Sequence, residues 1–413
     1  MIDPLWLIIG VTSAIAFYMA WSIGSNDVAN SMATAVGAKA ITFKQAVIIA
    51  AVLNFFGAVL VGPNVVETVR KGIVDVGVIE SNILLLGFVA SLLAAAFWVT
   101  ISTWKSMPIS TTHSIIGALM GFGIIVGGVS LVNWVNVGTV AASWVLSPIF
   151  GCILAFIVFK IIVRLIFSKE QPVKSAKIVG PAIIGATAFI ISASLLLKTT
   201  LSERLNITSI FDALLISLFI AIIVGVIGIL LLRKIDDTVS EDYFTVESIF
   251  RRLQVVTSCY VAFSHGANDV ANAIGPVAGI IPLAQYGQLP QDAGIEFWLL
   301  ALGGIGIGIG CVTWGRRVIQ TVGSRITSLT NTRGFSVDFG AATTVLVASK
   351  LGLPISTSHT VVGAVIGVGL ARGLEAVDLS VIKKIIISWL LTLPVAAGTS
   401  IVIFLLLRII FGM

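Results

Sequence analysis

The chain has 413 residues, 57% of them hydrophobic and only 11% charged, with a mean hydropathy of +1.09. A soluble globular domain carries about 25% charged residues. The deficit here runs along the whole chain, which excludes a soluble enzyme or a nucleic-acid-binding domain and identifies an integral membrane protein. The net charge of +6 reads as membrane topology, because Lys and Arg set the orientation of short loops.

Apolar runs suited to a hydrocarbon core about 30 Å thick follow in chain order over 5–34, 45–62, 82–103, 109–129 and 136–165. After them come 178–197, 210–232, 253–281, 296–314, the pair 335–352 and 355–373, and 381–411. These eleven or twelve hydrophobic segments predict an all-α polytopic membrane protein. The pairs 82–103 with 109–129, and 335–352 with 355–373, either cross fully or fold back as re-entrant helical hairpins. The N-terminus lacks a basic region before the first run and a small-residue cleavage site after it, so that run is expected to remain as a helix. Cys152, Cys259 and Cys311 form no Cys-x-x-Cys pair and are expected to be packing residues.

With Met1 outside, the inner loops hold Lys39, Lys44, Lys160, Arg164, Lys169, Lys174, Lys177, Arg233, Lys234, Arg251, Arg252, Arg316, Arg317, Arg325 and Arg333. The outer loops hold only Arg70, Lys71, Lys198 and Arg204. Fifteen against four favours both termini outside the cell membrane.

The sequence is duplicated. Ser22-Ile-Gly-Ser-Asn-Asp-Val-Ala-Asn-Ser31 matches Ser264-His-Gly-Ala-Asn-Asp-Val-Ala-Asn-Ala273 at seven of ten positions, offset by 242. Pro108-Ile-Ser-Thr-Thr-His-Ser-Ile-Ile-Gly-Ala118 matches Pro354-Ile-Ser-Thr-Ser-His-Thr-Val-Val-Gly-Ala364 at seven of eleven, offset by 246. Ser143-Trp144 with Ser388-Trp389, and Pro148 with Pro394, extend the correspondence at 245 to 246. Six segments separate the two Asn-Asp motifs, so the copies cross the membrane in opposite directions. The expected organisation is an N-terminal repeat over 1–165, a connecting region with two transmembrane helices over 166–250, and an inverted C-terminal repeat over 251–413. Inverted repeats are a recurring design of secondary transporters, with a midplane site exposed alternately to each side.

Asp27 and Asp269 sit inside apolar segments, where an ionised carboxylate is costly unless it meets a cavity and a counter-charge. With Asn26 and Asn30, and with Asn268 and Asn272, they offer oxygen ligands suited to a hard cation such as Na⁺. The competing reading makes them helix caps or hydrogen-bonding groups between helices; their duplication favours the site. Pro108 and Pro354 restart the chain as helices. The first-turn amides, with the hydroxyls of Ser110, Thr111, Thr112 and of Ser356, Thr357, Ser358, make an anion cradle for a small tetrahedral oxyanion. The alternative is that these hydroxyls bond back to their own helix and serve packing. An oxyanion beside two carboxylates is repelled unless cations or protons lie between them, which is a physical reason for coupling. Lys105 and Lys350 are expected at the hairpin edges.

The two Asn-Asp runs at 24–31 and 266–273 and both Pro-Ile-Ser-Thr motifs resemble the inorganic phosphate transporter (PiT) family. Asn64-Val-Val-Glu-Thr-Val-Arg-Lys-Gly-Ile73 and Leu253-Gln-Val-Val-Thr-Ser-Cys259 add to the likeness, which covers about 20–165 and 250–410. The resemblance implies sodium- or proton-coupled uptake of phosphate, with the Asn-Asp and Ser/Thr motifs of both halves forming the substrate and cation site. It implies no cofactor beyond Na⁺ as coupling ion, and it allows a homodimer. Eukaryotic relatives carry Glu where Asn54 and the shorter Asp338 stand. The connecting region lacks a large soluble loop, having only the polar stretch Asp236 to Phe250, as in a prokaryotic member.

Gly303, Gly304, Gly306, Gly308 and Gly310 are expected to serve close helix packing, not dinucleotide binding. No Walker motif supports ATP-driven pumping. His113, His265 and His359 are read as hydrogen-bonded packing residues in preference to proton relays, and the sequon Asn206-Ile-Thr208 is too common a pattern to use. A channel would need a continuous polar pore, and an intramembrane enzyme would need a nucleophile with its base. Ser110/His113 and Ser356/His359 suit a symmetric binding site better. A proton-coupled, metal-phosphate or sulfate carrier of the same fold remains an alternative.

Overall fold

The computed structural model describes residues 4–197, 202, 205–207, 209–233, 243–287, 294–316, 318–319, 330–373 and 379–412. Its helices are α1 (Pro4–Gly37), α2 (Phe43–Val61), α3 (Pro63–Lys71), α4 (Ser81–Trp104), α5 (Thr111–Gly127), α6 (Trp134–Ile162), α7 (Pro172–Leu196) and α8 (Ile210–Arg233). They continue with α9 (Tyr243–Tyr286), α10 (Phe297–Trp314), α11 (Asn331–Lys350), α12 (Thr357–Arg372) and α13 (Leu379–Ile410). Eight segments among the described residues are long and apolar enough to span a membrane. Lys198, Arg204, Lys234, Arg317, Arg325, Thr208 and residues 236–242 of the polar stretch lie outside the described residues.

The apolar runs match these helices closely, with two informative differences. Helix α3 lies outside the apolar runs, because its nine residues, Pro-Asn-Val-Val-Glu-Thr-Val-Arg-Lys, are too few and too polar to form one. It starts at Pro63 and buries Val65, Val66 and Val69. Helix α9 begins ten residues before the expected 253. In that first stretch Val246, Ile249, Phe250 and Leu253 are buried while Arg251 and Arg252 stay exposed, an amphipathic 3.6-residue pattern instead of an all-round apolar one.

The glycine contacts give the directions of the helices. Asn54 lies against Gly266, and Val270 against Gly62, so α2 and α9 run parallel. Ala20 lies against Gly306, and Val28 against Gly315, so α1 and α10 also run parallel. A five-residue turn reverses the chain between α1 and α2, so α1 and α9 are antiparallel and the duplicated halves are inverted. The halves also interlock. Gly363 and Gly367 of α12 seat on Pro148 and Cys152 of α6, while Gly117 and Gly121 of α5 seat on Leu393 and Ala397 of α13. The last helix of each repeat therefore packs against the hairpin of the other.

Helices α4 and α5 form an antiparallel hairpin: Gly87 meets the Phe122 ring and Ser91 Oγ reaches Ala118 O. Its tip touches Asn26, eleven residues before the end of α1, or about 16 Å inside at 1.5 Å per residue. The tip of the pair therefore meets α1 part-way along its length, well short of its end. Helices α11 and α12 repeat this with their tip on Asn268.

Candidate functional site

Asp27 and Asp269 lie inside α1 and α9, each three residues before an Asn on the same helix face. Asn30 Nδ2 donates to Asp27 Oδ1 at 3.1 Å, and Asn272 Nδ2 to Asp269 Oδ1 at 3.3 Å. The hydroxyl at the start of each hairpin's second helix donates to the other carboxylate oxygen. Thr111 Oγ1 reaches Asp27 Oδ2 at 2.7 Å, and Thr357 Oγ1 reaches Asp269 Oδ2 at 3.0 Å.

The two repeats meet at these groups. Asn30 Nδ2 contacts Thr357 Oγ1 at 3.3 Å and Ser358 Oγ at 2.9 Å. In return Asn272 Nδ2 contacts Thr111 Oγ1 at 3.4 Å and Thr112 Oγ1 at 3.1 Å. The tips join head to head, with Thr112 Oγ1 donating to Ile355 O at 2.9 Å and Ser358 Oγ to Ile109 O at 3.1 Å. Two helix N-termini thus converge on a centre bounded by two carboxylates, and all these residues are buried.

Not every expected ligand faces this centre. Ser110 and Ser356 are N-caps whose hydroxyls accept the His113 and His359 amides at 3.2 and 3.3 Å. Capping leaves the Thr111, Thr112, Thr357 and Ser358 amides as the orphan donors of the first turns. Asn26 and Asn268 hold the hairpin tips. Asn26 Nδ2 donates to Thr103 Oγ1 and Met107 O at 2.9 and 3.1 Å, and Asn268 Nδ2 to Ser349 Oγ and Leu353 O at 3.1 and 3.0 Å.

His265 departs from its expected packing role. Its Nε2 lies 2.8 Å from Asp269 Oδ2 and 3.9 Å from Asp27 Oδ2, and its Nδ1 bonds the Asn54 side chain. The ligand atoms of Asp27, His265 and Asp269 all fall within 4.8 Å of one another, so these three, with Asn30 and Asn272, are the groups that could hold a cation. Two signals in the sequence point to His265: it stands four residues before Asp269, and it replaces Ile23 of the first copy. His113 and His359 do pack. Their rings meet edge to face 4.6 Å apart; His113 lies tilted against Trp144 at 3.9 Å, and His359 stacks on Trp389 at 3.5 Å.

Lys105 is exposed at the C-cap of α4, and Lys350 donates to Leu197 O; both sit at hairpin edges as expected. Asp338 occupies a separate buried position, accepting from Thr34 Oγ1 at 2.6 Å and Ser258 Oγ at 2.7 Å.

The sequence profile of the phosphate transporter family matches residues 23–400, and so spans both hairpins and both Asn-Asp helices. The chain belongs to the phosphate transporter family. It is 51% identical over 409 residues to a protein of Thermococcus kodakarensis named as a candidate phosphate permease, and 52% identical over 410 residues to one of Pyrococcus horikoshii so named; each alignment covers 99% of both chains. A solved structure, of the sodium-dependent phosphate transporter, superposes with a TM-score of 0.93 at 46% identity, covering 98% of this chain and 100% of that one. In this family member the centre between the tips is built from both copies of each motif.

Proposed function

We propose that the protein imports inorganic phosphate together with Na⁺ by alternating access at the centre between the two hairpin tips. The observation that carries this reading is the cross-repeat pairing of Asn30 with Ser358 and of Asn272 with Thr112. It brings two helix N-termini and two carboxylates together at one buried point.

The chemistry follows from these parts. The first-turn amides and the hydroxyls of Thr111, Thr112, Thr357 and Ser358 bind phosphate oxygens without a basic side chain, as helix N-termini do. Asp27 and Asp269 repel that anion until Na⁺ binds at their oxygens and at the Asn30 and Asn272 side-chain carbonyls. Cation and anion therefore bind interdependently, and the neutralised load crosses. The buried site has to open by movement of a hairpin against its Asn-Asp helix. The family membership and the name of the solved relative, the sodium-dependent phosphate transporter, support phosphate and Na⁺ as the cargo.

A proton-coupled reading rests on one observation, the imidazole of His265 placed between both carboxylates. Uptake of labelled phosphate into proteoliposomes, under an inward Na⁺ or an inward H⁺ gradient at matched membrane potential, separates the two. Accumulation driven by Na⁺ alone is expected. Accumulation driven only by H⁺ makes Asp27 and Asp269 proton carriers, and none under either gradient overturns the assignment of phosphate.

A further inference from the structure

Apart from His265, which stands where the first copy has Ile23, the two halves repeat each other's contacts around the site closely, and they part at one peptide group in each hairpin tip. In the first tip this is the Pro108–Ile109 peptide. Its N–H donates to Asn26 Oδ1 at 3.3 Å. The Trp that corresponds to Trp144 in the other repeat, Trp389, has its indole Nε1 buried without a hydrogen-bond partner, so the Pro108 carbonyl is not held by it. In the second tip the same peptide, Pro354–Ile355, is held at its other end. The Trp144 indole donates to Pro354 O at 3.2 Å, while Asn268 Oδ1, the counterpart of Asn26 Oδ1, is buried without a partner.

The asymmetry is complementary. One tip peptide is held through its N–H by the Asn of its own repeat, and the other through its C=O by the Trp of the opposite repeat. The two groups left unsatisfied, the Trp389 indole and the Asn268 carbonyl, are the ones an exchange of roles would use. A buried polar group without a partner is costly, so exchange trades one pair of unsatisfied groups for an equivalent pair. Two other sets of contacts are the same in both tips. Each Asn amide still clamps its hairpin, and each imidazole Nδ1 still meets the Trp carbonyl of the other repeat, His113 with Trp389 O at 3.3 Å and His359 with Trp144 O at 3.2 Å.

We infer that Trp144 and Trp389, with Asn26 and Asn268, are positioning residues that latch the two Pro–Ile tip peptides alternately, one tip held by its own repeat and the other by its partner repeat in each of two exchangeable states. The latched peptides lie two residues before Thr111 and Thr357, so their orientation aims the first-turn amides and hydroxyls of each cradle. The present arrangement is one state. In the exchanged state the Trp389 indole holds Pro108 O and Asn268 Oδ1 holds the Ile355 N–H, while the Trp144 indole and Asn26 Oδ1 are released. The inference rests on the alternating-access reading above.

The experiment is a distance measurement by pulsed electron resonance on the full-length protein in lipid, with spin labels on Val129, beyond the first hairpin, and on Val312 of α10. Both positions are exposed. The wild-type protein is expected to show two distance populations. Trp144→Phe, which keeps the ring but removes the donor in use here, is expected to lower the population of the present state. Trp389→Phe is expected to raise it, each by about fivefold, the effect of one buried hydrogen bond. The double variant is expected to return to the wild-type ratio, whereas simple loss of packing would accumulate. Two populations that neither variant moves, or that both move in the same direction, overturn the latch and leave alternation standing. A single population unaffected by Na⁺ and phosphate overturns both.

Discussion

Asn30 of the first repeat donates to the Ser358 hydroxyl of the second at 2.9 Å, and the same Asn amide lies 3.1 Å from Asp27 Oδ1. One side chain therefore joins the carboxylate of one copy to the helix N-terminus of the other, and Asn272 does the same in reverse. Neither repeat holds a complete site.

Asp27→Asn and Asp269→Asn should each abolish coupled uptake while leaving the protein inserted and folded. Each substitution keeps the shape and a hydrogen-bonding oxygen but removes the charge that the cation answers. Losing a charged ligand bond is worth about 3 kcal/mol, or about a hundredfold in rate. Phosphate uptake by reconstituted protein checks this, with size-exclusion elution as the control for folding. Full activity in both variants would remove the carboxylates from the site.

His265→Leu should lower uptake far more than His265→Gln. The Leu leaves Asp269 and the Asn54 side chain without the partner that now touches both, while Gln can still bond one of them. Comparing the Na⁺ concentration for half-maximal uptake in the two variants reads the effect at the carboxylates. Equal values in Leu, Gln and wild type would return His265 to the packing role that the sequence suggested.

Much of this arrangement is legible before folding, and the reason is the duplication. The offset of 242 between the Asn-Asp motifs and of 246 between the Pro-Ile-Ser-Thr motifs marks two corresponding sets of residues. The parity of the apolar runs makes them inverted. What the sequence does not carry is the division of labour within each motif. Asn26 and Asn30 look equivalent along the chain, yet they sit four residues apart on α1, and one clamps the tip of its own hairpin while the other reaches across to Ser358. Ser110 and Thr111 are neighbours too, but the residue before a helix is geometrically bound to cap it. Only the second is left to meet Asp27. Helix α3 is not legible for a different reason: its buried Val65, Val66 and Val69 form a short stripe within a polar segment.

Phosphate and Na⁺ together should stabilise the protein against heat more than the sum of either alone, because each removes the repulsion that opposes the other. A ligand at a hundred times its dissociation constant adds about 2.7 kcal/mol. Thr111→Val and Thr357→Val should weaken or lose the phosphate part of this gain, since each removes a hydroxyl and leaves its Asp one donor short. Differential scanning fluorimetry with each ligand separately and together is the check. Undiminished shifts in both variants would take the hydroxyls out of the cradle.

Gly57→Ala and Gly310→Ala should both destabilise the fold, and to a similar degree. The two glycines occupy corresponding places in the inverted halves. A Cβ at Gly57 would lie 2.0 Å from Phe263 O on α9, and one at Gly310 would lie 2.1 Å from Trp21 O on α1. Both obstacles are backbone, which cannot turn aside as a side chain does, so the helices must separate. Overpacking of this kind costs about 1–3 kcal/mol. The displaced helices carry the carboxylates: Phe263 precedes Asp269 on α9, and Trp21 precedes Asp27 on α1. Lost stability should therefore come with weakened phosphate uptake in the fraction that still folds. Gly138→Ala, where nothing lies within 4 Å of the added carbon, is the control. Melting temperatures of the three purified variants decide the matter, and a Gly57 or Gly310 variant as stable as the Gly138 variant would mean that α1 and α9 can move without loss.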